Sequence, residues 1–279
     1  MSHQQTGFTV LELLIASSLA VGVILMAVTG LGTARQSEQI ELAYQRLNEN
    51  ARLATDLLRQ GLQRAGHPGC HPSVRRNLIA DGHDPAWPAV EVSAEGALTL
   101  TGFRAVLEAN IPDESAGEAI LPLGRSHGIA TGTPVVVSAA SGDACALFIH
   151  TGEEPQALSR APGGGASNRL PATAYQALTG AVTVFTLERV MFEVGPSSTH
   201  AERRSMFRRR ASARYRREEL VVGVEALSVR MLSHDQTVTA APVGVSLALE
   251  VASGRAETLG SAPLRLPVDL TVALRNRWP

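Results

Sequence analysis

The chain lacks any grouping of residues that would carry catalysis. Its eight histidines are scattered, no glycine-flanked serine marks a nucleophile elbow, and Gly163–Gly165 is without the Lys and Ser/Thr of a phosphate-binding loop. Asp81-Gly82-His83-Asp84 reads as a polar turn and not as a cation site. An enzyme is therefore not expected, nor a cofactor, nor a metal. Strong net charge is missing as well. With 25 Lys+Arg against 26 Asp+Glu, the balance argues against a protein that binds nucleic acid over its whole surface. Every basic residue is arginine, and no functional reading attaches to the absence of lysine. Aromatic residues make up only 4%, so a core has to be built mainly from Val, Leu, Ala and Ile.

What is present is concentrated near the start. From Phe8 to Ala34 the only ionisable side chain is Glu12, and the first basic residue beyond it is Arg35. At about 1.5 Å per residue this run makes roughly 40 Å of helix, enough to cross the hydrocarbon core of a bilayer. A carboxylate inside such a segment costs on the order of 2.5–3.5 kcal/mol, less toward the interface, and so needs a partner. No basic residue of the segment can supply one. A free α-amino group can, and cleavage after Gly7 creates one on Phe8. A general secretory signal would instead carry a basic n-region and a small-residue cleavage site after its apolar stretch. Here Met1 to Gly7 holds no Lys or Arg, and the small residues Ala16 to Ala20 lie in the middle of the run.

Gly7-Phe8-Thr9-Val10-Leu11-Glu12 resembles the processing site of type IV pilins and of type II secretion pseudopilins. The resemblance implies a prepilin peptidase that cuts between Gly7 and Phe8 and N-methylates Phe8. It also implies that Glu12, the fifth mature residue, pairs with the N-terminus of a neighbouring subunit. Removing the leader leaves about 272 residues, long for a pilin but suited to one membrane helix and one sizeable domain.

The helix is expected to outrun the membrane. From Gln36 to Ala65 there is no proline, and Ile40, Tyr44, Leu47, Ala51, Ala54, Leu58, Leu62 and Ala65 recur at three- and four-residue steps. Gly66 and Pro68 supply a stop. Within the apolar half, Gly22, Gly30 and Gly32 each weaken a helix by about 1 kcal/mol relative to alanine. They also permit close helix packing, and Gly30–Gly32 is a candidate point of melting.

After Cys70 the texture changes to short segments split by Gly, Pro, Ser and Asp. Two hairpins are predicted, one turning at Ala94-Glu95-Gly96 and one at Ser141-Gly142-Asp143, with a longer strand or strand pair over Val182 to Val194. Val243 to Val251 and Val268 to Leu274 alternate with period two, and Leu220 to Met231 does so with a phase shift at Gly223–Ala226 that reads as a bulge. The expected class is α+β, a long helix packed on a mostly antiparallel sheet. The divisions are a leader 1–7, a transmembrane helix 8–34, its amphipathic continuation 35–66, and a β-rich domain 67–279. Cys70 and Cys145 fit one disulfide in an oxidising periplasm; the competing metal pair of Cys70 with His67 and His71 lacks zinc-like spacing.

Three further islands narrow the resemblance. Ala51-Arg52-Leu53-Ala54-Thr55-Asp56-Leu57-Leu58-Arg59 running into Ala65-Gly66-His67-Pro68-Gly69-Cys70 is similar to the PilW-type minor pilins. Glu218-Glu219-Leu220-Val221-Val222-Gly223-Val224-Glu225-Ala226-Leu227 and the closing Val272-Ala273-Leu274-Arg275-Asn276-Arg277 are similar to that group too. What this implies is a minor subunit held in the inner membrane with its C-terminal domain in the periplasm, then drawn into the pilus. Its implied partners are the other minor pilins, the major pilin and a large tip adhesin, and its role is to prime assembly from the filament tip. The related J-type pseudopilin of type II secretion shares the processing site. A third reading, a membrane-tethered receptor for DNA or a surface, comes from Arg203, Arg204, Arg208, Arg209, Arg210, Arg214, Arg216 and Arg217, relieved only by Glu202, Glu218 and Glu219. The plainer account of that cluster is a solvated hairpin whose charges protect a strand edge.

Overall fold

The computed structural model describes residues 9–71, 74–80, 87–115, 117–162, 168–169, 178–210, 216–233, 242–254 and 262–274. One helix, α1, runs without interruption over Val10–Arg64. It passes straight through Gly22, Gly30 and Gly32, so the melting point considered at Gly30–Gly32 is not seen. Thirteen strands follow among the described residues. The class is α+β, one long helix with an apolar N-terminal stretch and a sheet-rich globular part.

The chain divides into two compact units, one of residues 1–49 with 252–266 and one of residues 50–251 with 267–279. In the first, the side chains from Val10 to Leu31 are exposed, and this is the one described helix long and apolar enough to cross a membrane. Farther along, Ala43 and Leu47 are buried while Tyr44 is 49% exposed. The expected stripe therefore runs through Ala43 and not Tyr44, because stepping back four residues from Leu47 continues the 3.6-residue period along Ala51, Leu47 and Ala43.

The second unit contains the last four turns of α1 and two main sheets. In chain order the strands are β1 (Arg75–Asn77), β2 (Val90–Val92), β3 (Leu98–Ile111), β4 (Ile120–Pro122), β5 (Pro134–Ala139), β6 (Cys145–Ile149) and β7 (Ala157–Ser159). Then come β8 (Gly180–Pro196), β9 (Arg204–Arg210), β10 (Arg217–Val222), β11 (Val224–Leu232), β12 (Gly244–Ala252) and β13 (Arg265–Ala273). The larger sheet has the order β1-β6-β5-β8-β3-β2 and branches at β8, whose second half carries β9 and then β10. Every pairing in it is antiparallel except β1 with β6. The smaller sheet is β11-β12-β13, and β4 pairs with β7 as a ribbon.

Both predicted hairpins form, as β2–β3 and β5–β6, and Val182 to Val194 lies in the single strand β8. The segment Leu220 to Met231 is not one bulged strand. At Gly223, with φ of 90°, the chain leaves the larger sheet and enters the smaller one, so β10 and β11 have different partners. A bulge does occur just beyond, between Val224 and Ala226. Only a residue without Cβ takes that φ cheaply, and the sequence reading registered its effect as a change of phase.

The main core of this unit is where the helix meets both sheets. Ala54, Leu58 and Leu62 pack with Leu98, Leu100, Phe192 and Met206 of the larger sheet, and with Val245, Leu247 and Leu249 of the smaller. At roughly 1.5–3 kcal/mol for each fully buried aliphatic side chain, this seam is the main source of the unit's stability. A second cluster gathers Val135, Val137, Phe148 and Leu158 at the β5–β6 end. The helix stops where Gly66 takes φ of 70° and donates its N–H to Thr101 O at 2.7 Å. Phe103 in turn donates to His67 O at 2.9 Å, so the departing chain covers the free edge of β3.

Candidate functional sites on the helix and the arginine strands

Three places on the chain were singled out by sequence: the helix start, the two cysteines and the arginine segment. Gly7 and Phe8 lie outside the described residues, and so do Arg214, the segment around His83, Gly163–Gly165, and Arg275 to Arg277.

At the helix start, Glu12 closes a capping box on Thr9. Its Oε2 accepts hydrogen bonds from Thr9 N and Thr9 Oγ1, each at 3.1 Å, while Glu12 N donates back to Thr9 Oγ1 at 3.4 Å. The acid that from sequence needs a partner thus has a local one. The signal was legible as Thr9-x-x-Glu12 just ahead of an apolar run. The cap satisfies two donors at a helix end and places negative charge against the positive end of the helix dipole. It uses one oxygen of the carboxylate, so Oε1 remains for a further donor. Around it, Leu11, Leu13, Leu14 and Ile15 are exposed.

Cys70 and Cys145 form a disulfide, with Cα atoms 6.5 Å apart and a sequence separation of 75. Cys145 is fully buried in β6, and the bond ties the exit of α1 to that strand. His67 stands edge-on to Phe185 at 6.0 Å, and burial holds its imidazole below the ordinary histidine range. The thiolate that a metal pair would need is thus taken up in the disulfide, and among the described residues no group of three or more His, Cys, Asp and Glu is placed to hold a metal ion.

The arginine segment folds into β9 and the start of β10, and the alternation of a strand divides its charges between two faces. Arg208 lies opposite Phe192, and Arg210 opposite Val190, so both share the face of β8 that meets α1; Arg209 points the other way. Acidic residues answer most of them. Arg208 donates through Nε and Nη2 to Glu218 Oε2 at 3.1 and 2.7 Å. Glu193 takes both Arg217, at 2.7 Å, and Arg209, at 3.2 Å, while Glu188 takes Arg210 at 3.9 Å and Arg104 at 3.4 Å. The Arg217 guanidinium also stacks 3.5 Å from the Phe207 ring centroid, a cation–π contact. Arg204 reaches the carbonyl of Val194 at 3.3 Å. Glu188 and Glu193 sit in the strand Val182 to Val194 and were not connected with the cluster from sequence, because their link to it depends on the β8–β9 register.

Two of the segment's acids are perturbed, for different reasons. Hydrogen bonds from Arg208 hold Glu218 below the usual carboxylate range. For Glu219, burial raises the pKa, but hydrogen bonds from Ser197, Ser198 and Ser205 outweigh it and leave the group at about 2. Ser197 Oγ and Ser205 Oγ donate at 2.6 Å and Ser198 N at 3.0 Å, with Ser198 Oγ as a fourth donor. Glu219 thereby pins the β8–β9 turn to β10.

No protein-family model, curated protein or solved structure matches the chain.

Proposed function

We propose that this protein is a minor pilin of the PilW type, processed after Gly7, that primes assembly of a type IV pilus from its tip. The observation that carries the reading is the helix start. A single carboxylate, Glu12, stands near the head of an apolar helix that continues unbroken into a disulfide-tied sheet domain. That carboxylate has one oxygen engaged by Thr9, and the exposed side chains of Leu11, Leu13, Leu14 and Ile15 next to it are apolar. In the inner membrane the capping box lowers the cost of the buried charge; on docking, the methylated amine of a neighbour's Phe8 takes the second oxygen. Such a charge sets register, because any misplaced neighbour leaves it unpaired in hydrocarbon. The role is one of assembly and needs no catalytic group.

A Glu12→Ala variant inserts normally but does not assemble with partner pilins. Co-purification of the variant with the other minor pilins at wild-type yield overturns the reading. Deletion of the gene abolishes surface pili and twitching while enzyme secretion continues; the reverse pattern assigns the chain to the pseudopilus of type II secretion. Most of the described arginines of the Arg203–Arg217 segment already face carboxylates, which favours an assembly role over a DNA receptor.

A further inference from the structure

Between the last turns of α1 and strands β3, β8 and β9 lies a cleft of about 350 Å³, within the range of ligand-binding sites. Leu57 and Gly61 form its helix wall, and Leu100, Val190 and Phe192 its floor. The rim is basic. Arg64 comes from the helix, Arg104 from β3, and Arg208 and Arg210 from β9. Two carboxylates answer these four guanidinium groups. Glu188 is divided between Arg104 at 3.4 Å and Arg210 at 3.9 Å, and Glu218 is engaged by Arg208 at 2.7 Å. Among the described residues no carboxylate lies within ion-pair distance of Arg64. The rim therefore keeps a surplus of positive charge above an apolar floor. The side chains of Arg104 and Arg210 are 56% and 51% exposed, so both can reach an incoming group without disturbing the sheet.

We propose that this cleft docks an extended acidic peptide segment of a partner protein. An apolar side chain of the segment rests on Leu100 and Phe192, and its flanking carboxylates meet Arg64, Arg104 and Arg210. Two further features favour a peptide over a fatty acyl chain. Gln60 and His67 also line the cleft and offer an amide and a neutral imidazole, which suit backbone N–H and C=O groups and would be left unmatched by an alkyl tail. Arginine forks also favour planar carboxylates held in two-point contact. This site is separate from the helix start and does not depend on the pilin reading.

The test uses the full chain in lipid nanodiscs and a fluorescein-labelled peptide, acetyl-Glu-Leu-Glu-Leu-Glu-amide, followed by anisotropy. Saturable binding is expected, weakening with added salt as the rim charges are screened. Arg104→Gln combined with Arg210→Gln weakens it by about tenfold or more. Gln60→Trp, which fills the cleft from an exposed position on the helix stripe of Leu57, Gly61 and Arg64 without touching a charge, does the same. Arg189→Gln, on the opposite face of β8 and paired there with Glu91, leaves binding unchanged. The peptide with Gln in place of Glu binds about tenfold less well. Equal binding of the Gln peptide, or wild-type binding by both cleft variants, overturns the proposal. So does binding of dodecanoate with no binding of the peptide, which assigns the cleft to an acyl chain.

Discussion

Glu219 shows how much one carboxylate can organise when its donors are neutral. Four hydrogen bonds from three serines converge on it and hold its pKa at about 2, against a starting value of 4.5. Because the folded value is the lower one, its contribution to stability is fully present above pH 4.5 and is lost as the pH falls through about 2. Glu219→Gln should therefore lower the denaturation midpoint of the second unit at pH 7. The gap between variant and wild type should close as the pH is taken from 4.5 toward 2. Parallel urea titrations at both ends of that window measure it, and a gap that stays constant with pH refutes the assignment. Nothing in the sequence pointed to this residue, which looked like one of the acids relieving an arginine run. Its donors Ser197 and Ser198 lie in the β8–β9 turn, and only the β9–β10 register brings them and Ser205 to it. Glu12 is the opposite case. Both halves of its capping box are three residues apart, so the contact was readable from local spacing alone.

At the scale of elements, the legible features were those set by local period and turn chemistry. The alternation in Val245, Leu247, Leu249 and Val251 gave the buried face of β12 directly, and Glu95-Gly96 and Gly142-Asp143 marked their hairpins. What remained hidden was pairing over long separations. The branching of the sheet at β8, with β5 beside its first half and β9 beside its second, leaves no periodic trace, because either strand satisfies the same alternation. The contact of α1 with β3 belongs to the same category and makes a sharp prediction. A Cβ on Gly102 would stand 2.7 Å from the carbonyl oxygen of Arg64, a backbone atom at the helix end that cannot rotate away. Gly102→Ala should cost about 1–3 kcal/mol in denaturant unfolding, within the range of overpacked cores. Gly61→Ala, on the facing helix wall, meets the Leu100 Cδ1 methyl at 2.8 Å and the Phe192 ring at 3.2 Å. Those side chains can shift, and alanine favours the helix by about 1 kcal/mol, so this change should be close to neutral. Equal losses from the two substitutions would mean that the helix end is not seated on Gly102.

At the scale of the whole molecule, the question is what holds a sheet-rich unit with so few aromatic residues together. Its core is aliphatic, and Phe103, Phe148, Phe192 and Phe207 are its buried phenylalanines among the described residues. With two cysteines in the chain, the Cys70–Cys145 pairing was legible from sequence, whereas its position was not. The bond joins the residue that follows the helix exit to a fully buried strand, across a sequence separation of 75 that takes in β1 to β5. β1 then pairs in parallel with β6 immediately beside it, Arg75 opposite Cys145. A parallel edge pairing of three residues contributes little by itself, so its register is expected to depend on the covalent tie. In the loop-entropy account, closing a loop of this length restricts the unfolded chain by about 4 kcal/mol. Replacing both cysteines by serine should lower unfolding free energy by about that amount, and adding dithiothreitol to the wild type should reproduce the loss. In the double variant the reductant should change nothing, which separates the bond from any general effect of the reagent. Hydrogen exchange adds a spatial readout: the amide of Leu78, which donates to Leu147 O of β6 at 2.8 Å, should lose protection before those of β12. Retained protection at β1 after reduction would show that the edge is held by its own pairing, and that the disulfide acts only on the unfolded chain.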